Sequence, residues 1–184
     1  MNNKEKQIDK KEDVKDEKPF WQELLGYLVL LIAVLLIKTY VVSPIKVNGV
    51  SMVPTLENKD YMILDKISYR IGKIKRFDIV VINTEDDYLI KRIIGLPGEK
   101  IEYKDNKLYV NGKYVKEDYA RQDMDDYNIK ELGSTVVPDD SYFVLGDNRP
   151  VSKDSRYIGF VSKEDIEGKS KLTLLPFSRF GIKK

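Results

Sequence analysis

The stretch "WQELLGYLVLLIAVLLIKTYVV", Trp21 to Val42, carries no charge between Glu23 and Lys38. Wound as a helix it reaches roughly 33 Å, enough to cross a hydrocarbon core about 30 Å thick. It is apolar on every face, and such a helix belongs either in a protein core or in lipid. A core helix fits poorly beside residues 1–20, whose six lysines and six acidic residues read as a disordered, solvated tail. Trp21 and Tyr40 stand where interfacial aromatics belong, and Lys38 can extend its ammonium past the end of the run. A cleaved signal peptide has the same basic-then-apolar order, but no A-x-A-like cleavage site follows in "IKTYVVSPIKV". The expectation is an uncleaved, single-pass anchor over 21–42. Lysines in the short tail favour a cytoplasmic amino terminus, and acidic residues weigh little in that rule. Residues 43–184 are then expected on the outer face of the cell membrane.

That outer portion reads as mainly β, built of antiparallel sheets. "YMILDKI", "DIVVIN", "YLIKRIIG", "KIEYKDNKLYVNGKYV" and "SYFVLGD" carry β-branched and aromatic residues between Gly, Pro, Asn and Asp breaks. Asn111-Gly112 is a hairpin signal, because a type I′ turn needs positive φ at both central residues. Residues 116–140, "KEDYARQDMDDYNIKELGSTVVPDD", are acidic and weakly periodic, and are expected to form a surface excursion. No repeat of solenoid or propeller period is present. A net charge of only +2 gives no nucleic-acid footprint.

The composition restricts the chemistry. The chain has no histidine and no cysteine, which removes Ser-His-Asp and Cys-His catalysis, disulfides, and zinc sites built on either ligand. A serine or threonine working with lysine, paired carboxylates, or a carboxylate-held hard metal remain. In "VNGVSMVPTL" a single serine, Ser51, sits between a glycine turn and a proline turn. In "YLIKRII", Lys91 shares its face with Leu89 and Ile93, while Arg92 shares the other with Ile90 and Ile94. A lysine flanked by aliphatic residues is a candidate for burial, which disfavours the ammonium. Reaching neutrality from about 10.4 takes roughly 4 kcal/mol, supplied by the packing. A neutral Lys91 can accept the Ser51 proton. On spacing alone, however, Lys91 could equally guard a sheet edge and Ser51 be an ordinary turn serine.

The match across the outer portion is more specific. "GVSMVPTL" resembles the nucleophile segment of the type I signal peptidases, Ser-Met followed shortly by Pro-Thr-Leu. "RFDIVVINTEDDYLIKRIIGLPGEKIEY" resembles their lysine segment, with its Lys-Arg pair and Gly-Leu-Pro-Gly turn. "YFVLGDNRPVSKDSRYIGFV" resembles their third signature, Gly-Asp-Asn-Arg followed by Ser-x-Asp-Ser-Arg. The three stand in family order behind an amino-terminal anchor, from about Trp21 to Ile166.

The resemblance implies a membrane-bound serine endopeptidase that removes signal peptides from secreted preproteins, with Ser51 as nucleophile, Lys91 as general base and no metal or cofactor. Ser152 matches a serine whose hydroxyl orients the lysine amine. Asp147, Arg149, Asp154 and Arg156 match residues that hold the site together, although Arg149, followed by Pro150, also fits a solvated turn. Arg92 is expected to pair with Asp154. Gly49 takes the place of a serine that in some members helps hold the oxyanion. Glycine there is frequent among Gram-positive relatives, and it would let the backbone approach closely. The resemblance further implies an apolar surface resting on the bilayer, to which Met52, Val53 and Pro54 would belong unless they are core. Substrates would bind as an extended strand, with small side chains at the first and third positions before the cut. Two alternatives differ in class: a self-cleaving protease of the SOS-repressor type, which would carry a helix-turn-helix and no anchor, and a membrane-tethered binding module in which Ser51 and Lys91 are incidental.

Overall fold

The computed structural model describes residues 19–67, 72–84 and 87–183. Most of the tail read as disordered therefore lies outside the described residues. The chain divides into two compact units, Met1–Leu36 and Ile37–Lys184.

In the first unit, α1 (Phe20–Leu36) buries none of its side chains. Leu24, Leu28, Leu31 and Leu35 are all about half exposed, so the helix has no protein core of its own to satisfy its apolar surface. A π-helical turn, Ile37–Val41, continues it. Together Phe20–Val41 form a span of 22 residues with mean hydropathy 2.4, long and apolar enough to cross a membrane.

The second unit is antiparallel throughout. Its larger sheet contains β1 (Val42–Lys46), β2 (Tyr61–Asp65), β3 (Ile79–Asn83), β4 (Tyr88–Gly95), β9 (Ser141–Leu145), β10 (Val161–Ser162), β11 (Ile166–Leu175) and β12 (Gly181–Ile182). The order is β1-β2-β11-β3-β4-β9-β10, with β12 paired to β11. The smaller sheet, β7-β6-β5-β8, comprises β5 (Ile101–Lys104), β6 (Lys107–Val110), β7 (Lys113–Val115) and β8 (Tyr127–Asn128). The Asn111-Gly112 turn is as expected: Val110 pairs with Lys113 across two residues at φ 51° and 78°.

Three apolar clusters fix the strands. One joins Ile94, Phe143 and Leu145 of the larger sheet to Ile101, Tyr103 and Leu108 of the smaller. Met124, Ile129 and Val137 complete it. Residues 116–140 are thus only partly the surface excursion expected. Weak periodicity hid these anchors because they fall in irregular chain, apart from a 3₁₀ turn at Ile129–Leu132 capped by Asn128 and Glu131. A second cluster lies around Val80, Ile93 and Val144. The third holds the turn after β1, through Val47, Met52 and Leu56 against Met62 and Ile79. Met52 (1 % exposed) and Leu56 (0 %) are core residues, whereas Pro54 is at the surface. Burying each of those two side chains contributes about 1.5–3 kcal/mol, which anchors the turn bearing Ser51 from below.

Candidate active site

Three segments converge. The turn after β1 presents Ser51, half-buried above Met52. Strand β4 presents Lys91, and the loop after β9 runs from Gly146 to the short helix α2 (Ser155–Ile158). Lys91 Nζ lies 2.8 Å from Ser51 Oγ. The period-two reading of β4 placed Lys91 beside Leu89 and Ile93, and Lys91 is 2 % exposed. Burial pulls its pKa from the ordinary 10.5 down to about 8, against the raising influence of Asp154 and Asp147. As an ammonium it donates to Ser51; as a free amine it can accept the hydroxyl proton.

Arg92, next on the strand, points to the opposite side and is fully buried. Its guanidinium makes a two-pronged contact with Asp147, Nε to Oδ1 at 2.8 Å and Nη2 to Oδ2 at 2.6 Å. The expected pairing with Asp154 is thus corrected. Asp154 is held instead by Arg156, Nε to Oδ1 at 2.8 Å and Nη2 to Oδ2 at 2.9 Å. Asp154 precedes α2 and caps it, so the arginine two residues on folds back onto the same carboxylate. Its Oδ2 also accepts the Gly146 N–H at 3.0 Å.

Arg149 is 1 % exposed, which overturns the solvated-turn alternative. Its Nε donates to the Gly146 carbonyl at 3.0 Å, and Nη2 donates to Glu117 Oε1 at 2.8 Å. Pro150 leaves those contacts intact because it follows the side chain that makes them.

Ser152 comes to the site, but its buried hydroxyl has no hydrogen-bond partner among the described residues and does not reach Lys91. It packs on Gly146. A Cβ at 146 would lie 2.2 Å from Ser152 Oγ and 2.4 Å from the Ser51 carbonyl oxygen, so only glycine lets these chains meet. At the Cβ position of Gly49 no other part of the chain comes close. A Cβ there would meet nothing within 4 Å, and its φ of +100° is what favours glycine.

Four contacts were missed in the sequence. Asn148 donates its N–H to the Ser51 carbonyl (3.0 Å) and its side-chain amide to the Val50 carbonyl (3.1 Å), tying the loop to the Ser51 turn. Its place inside "GDNR" was the available signal. Thr55 Oγ1 donates to Ala120 O at 3.1 Å, and Gln122 N to Asp147 O at 2.8 Å. Nothing in "YARQDM" announced those. Among the described residues no group of three or more acidic side chains is arranged to hold a metal ion.

An antiparallel β framework that sets a serine against a buried amine, with no histidine in the chain, has the architecture of a serine peptidase. Sequence comparison narrows the class. The family described as signal peptidase, peptidase S26, matches residues 21–175. Signal peptidase I S of Bacillus subtilis (strain 168) is 40 % identical over 177 residues, covering 92 % of this chain and 96 % of that protein. Signal peptidase I of Bacillus caldolyticus is 44 % identical over 168 residues, covering 85 % and 92 %. The crystal structure of a signal peptidase I from Enterococcus faecalis V583 superposes with a TM-score of 0.50 at 41 % identity, covering 53 % of this chain and 97 % of that one. The chain belongs to the signal peptidase family.

Proposed function

We propose that this protein is a membrane-anchored signal peptidase I that cleaves signal peptides from preproteins through an acyl-enzyme on Ser51, with Lys91 as general base. The observation that carries this reading is the 2.8 Å contact between Lys91 Nζ and Ser51 Oγ at an amine whose burial favours its neutral form. Neutral Lys91 takes the Ser51 proton as Oγ attacks the scissile carbonyl carbon. The amine then passes that proton to the leaving amino group, and an ester remains on Ser51. Lys91 next withdraws a proton from water, whose oxygen displaces Ser51 from the ester and restores the hydroxyl. The Ser51 N–H, with no acceptor among the described residues, is available to the developing oxyanion. Ser152, buried and unpartnered, is the hydroxyl suited to orient the amine when it turns.

A cleft supports the substrate assignment. Among the described residues β1 pairs only with β2, and β4 meets β9 only from Arg92 onward, which leaves an unpaired edge on each strand near the dyad. A cavity of about 340 Å³ opens between them, with Ile45 and Asn48 on one side, Tyr88 and Ile90 on the other, and Leu64 and Val81 among its lining residues. An extended peptide can add there as a strand through main-chain hydrogen bonds. A preference for small residues at the first and third positions before the cut is part of the proposal. The apolar span Phe20–Val41 suits a single-pass anchor in the lipid bilayer, with the tail cytoplasmic and residues 43–184 outside as the catalytic domain.

The test is cleavage of a synthetic signal-peptide substrate by the purified full-length protein. Ser51→Ala should abolish turnover while leaving the fold and membrane insertion intact, and chelators should have no effect on the wild type. More than a few per cent of turnover in a folded Ser51→Ala variant refutes the nucleophile, and inhibition by chelators that added metal reverses points to carboxylate–metal chemistry.

A further inference from the structure

Residues 117–122 touch all three segments that build the site without touching Ser51 or Lys91. Thr55, in the nucleophile turn, donates its hydroxyl to Ala120 O, and Gln122 N donates to Asp147 O. Tyr119 lies against Arg92, with the guanidinium carbon 3.9 Å from the ring centroid. One face of the buried guanidinium therefore rests on an aromatic ring, while its edge grips Asp147 and donates to the Phe77 carbonyl at 3.0 Å. The Phe77 ring packs on Tyr119 in turn, 5.2 Å between centroids.

Glu117 fixes the ring. Its carboxylate accepts the hydroxyls of Tyr119 and Tyr103, the latter at 2.7 Å. It also accepts Arg149 Nη2 and Arg121 Nε, each at 2.8 Å. Burial alone would raise its pKa, but the charge of Arg149 and these donors hold it below the ordinary carboxylate value. The Tyr119 hydroxyl also accepts Arg149 Nη2 at 2.9 Å, so ring and arginine are locked together.

We propose that Tyr119 is a positioning residue for the dyad. Its ring rests beneath Arg92, Arg92 holds Asp147, and Asp147 with Gly146 and Asn148 holds the Ser51 turn against Lys91. This rests on the serine–lysine reading above. The groups that face Lys91 are Asp147 and Asp154, with Arg92 and Arg156 as their respective partners. Removing the ring lets the guanidinium leave the plane of the Asp147 carboxylate. Asp147 then acts on Lys91 less compensated, favouring the ammonium.

The experiment compares Tyr119→Phe, Tyr119→Met and Tyr119→Leu in the full-length protein, measuring kcat and KM against pH on one peptide substrate, with melting temperature alongside. Phe keeps the ring and should stay within about threefold of wild type, whereas Met fills the volume without it and should lose about tenfold in kcat at little change in KM. Leu should behave like Met, and both should move the acid limb of the kcat/KM profile to higher pH. If Leu yields no folded protein, the comparison of Met with Phe decides alone. A Met variant with wild-type kcat and an unmoved limb overturns the proposal, as does a Phe variant impaired as much as Met. Ser51→Ala and Lys91→Arg run in parallel: if they retain turnover, the dyad reading has failed; if they are dead while every Tyr119 variant works normally, only the positioning role has.

Discussion

A lysine kept in a site that disfavours its charge lowers stability at neutral pH, and Lys91→Met should make the protein more stable while abolishing turnover. The pKa of Lys91 falls from 10.5 to about 8. At about 1.36 kcal/mol per pH unit, that gap corresponds to roughly 3 kcal/mol. The folded pKa is below the unfolded one, so the cost is fully present below pH 8, where both states are protonated. It disappears as pH rises toward 10.5, where the unfolded state still binds a proton that the folded state has lost. Methionine fills similar volume with no charge, though the contact to Ser51 is given up. A gain of about 2–3 kcal/mol at pH 7 is expected, shrinking to less than about 1 kcal/mol near pH 10. The assay is urea unfolding of both full-length proteins in detergent at the two pH values, followed by far-UV circular dichroism. Taking the difference between the proteins cancels other groups that titrate. A methionine variant no more stable than wild type at pH 7, or a gain that does not shrink with pH, refutes the claim that burial depresses this lysine.

Activity on a peptide substrate should rise with pH through about 8, where Lys91 loses its proton. Lys91→Arg should be as inactive as Lys91→Ala, because a guanidinium stays protonated; a kcat/KM profile of both checks this, and substantial activity in the arginine variant counts against lysine as base. Gly146→Ala should cost about a hundredfold or more in kcat, since the methyl would sit 2.2 Å from Ser152 Oγ and 2.4 Å from the Ser51 carbonyl and must displace the turn; turnover within tenfold of wild type would show that the loop yields freely. Arg156→Gln leaves Asp154 without its ion pair and should shift the acid limb of kcat/KM to higher pH, by strengthening the carboxylate's hold on the Lys91 ammonium. Protease added to intact protoplasts should digest the chain beyond Val42 and spare the tail, and an accessible tail would invert the topology.

The sequence carried the site further than it carried the sheet. Strand β4 was legible over its full length because its β-branched residues and its lysine fall between clear breaks. The longest strand, β11, was not assigned at all. Its buried positions include Gly168, Ser170 and Thr173 as well as Ile166, so the inward face has no apolar stripe to read. Ser170 is tolerated there because its hydroxyl donates to the Ile63 carbonyl at 2.9 Å. Register shifts between Ser170 and Leu172, and again between Thr173 and Leu175, break the period that remained. The arginines failed for a different reason. Spacing says that Asp147, Arg149, Asp154 and Arg156 belong to one loop, but not which carboxylate faces β4. That is decided by the capping of α2, which occupies Asp154 with Arg156 and leaves Asp147 to Arg92.

The pairing pattern has a chemical consequence. A bare carboxylate in contact with Lys91 would hold the ammonium and return its pKa toward 10.5. Both carboxylates that face the lysine are instead joined to arginines, while among the described residues Lys91 itself forms no salt bridge. Buried ion pairs of this kind add little net stability over apolar packing, and breaking one costs about 3–5 kcal/mol. Their presence at 0–1 % side-chain exposure for Arg92–Asp147 is therefore better explained by what they do for the neighbour. Each arginine both fixes the loop and masks a negative charge. Histidine needs no such masking, since its ordinary pKa already lies near neutrality. The serine–lysine site proposed here calls for a lysine lowered by burial in surroundings close to electrically neutral, and the segments around Ser51 provide both.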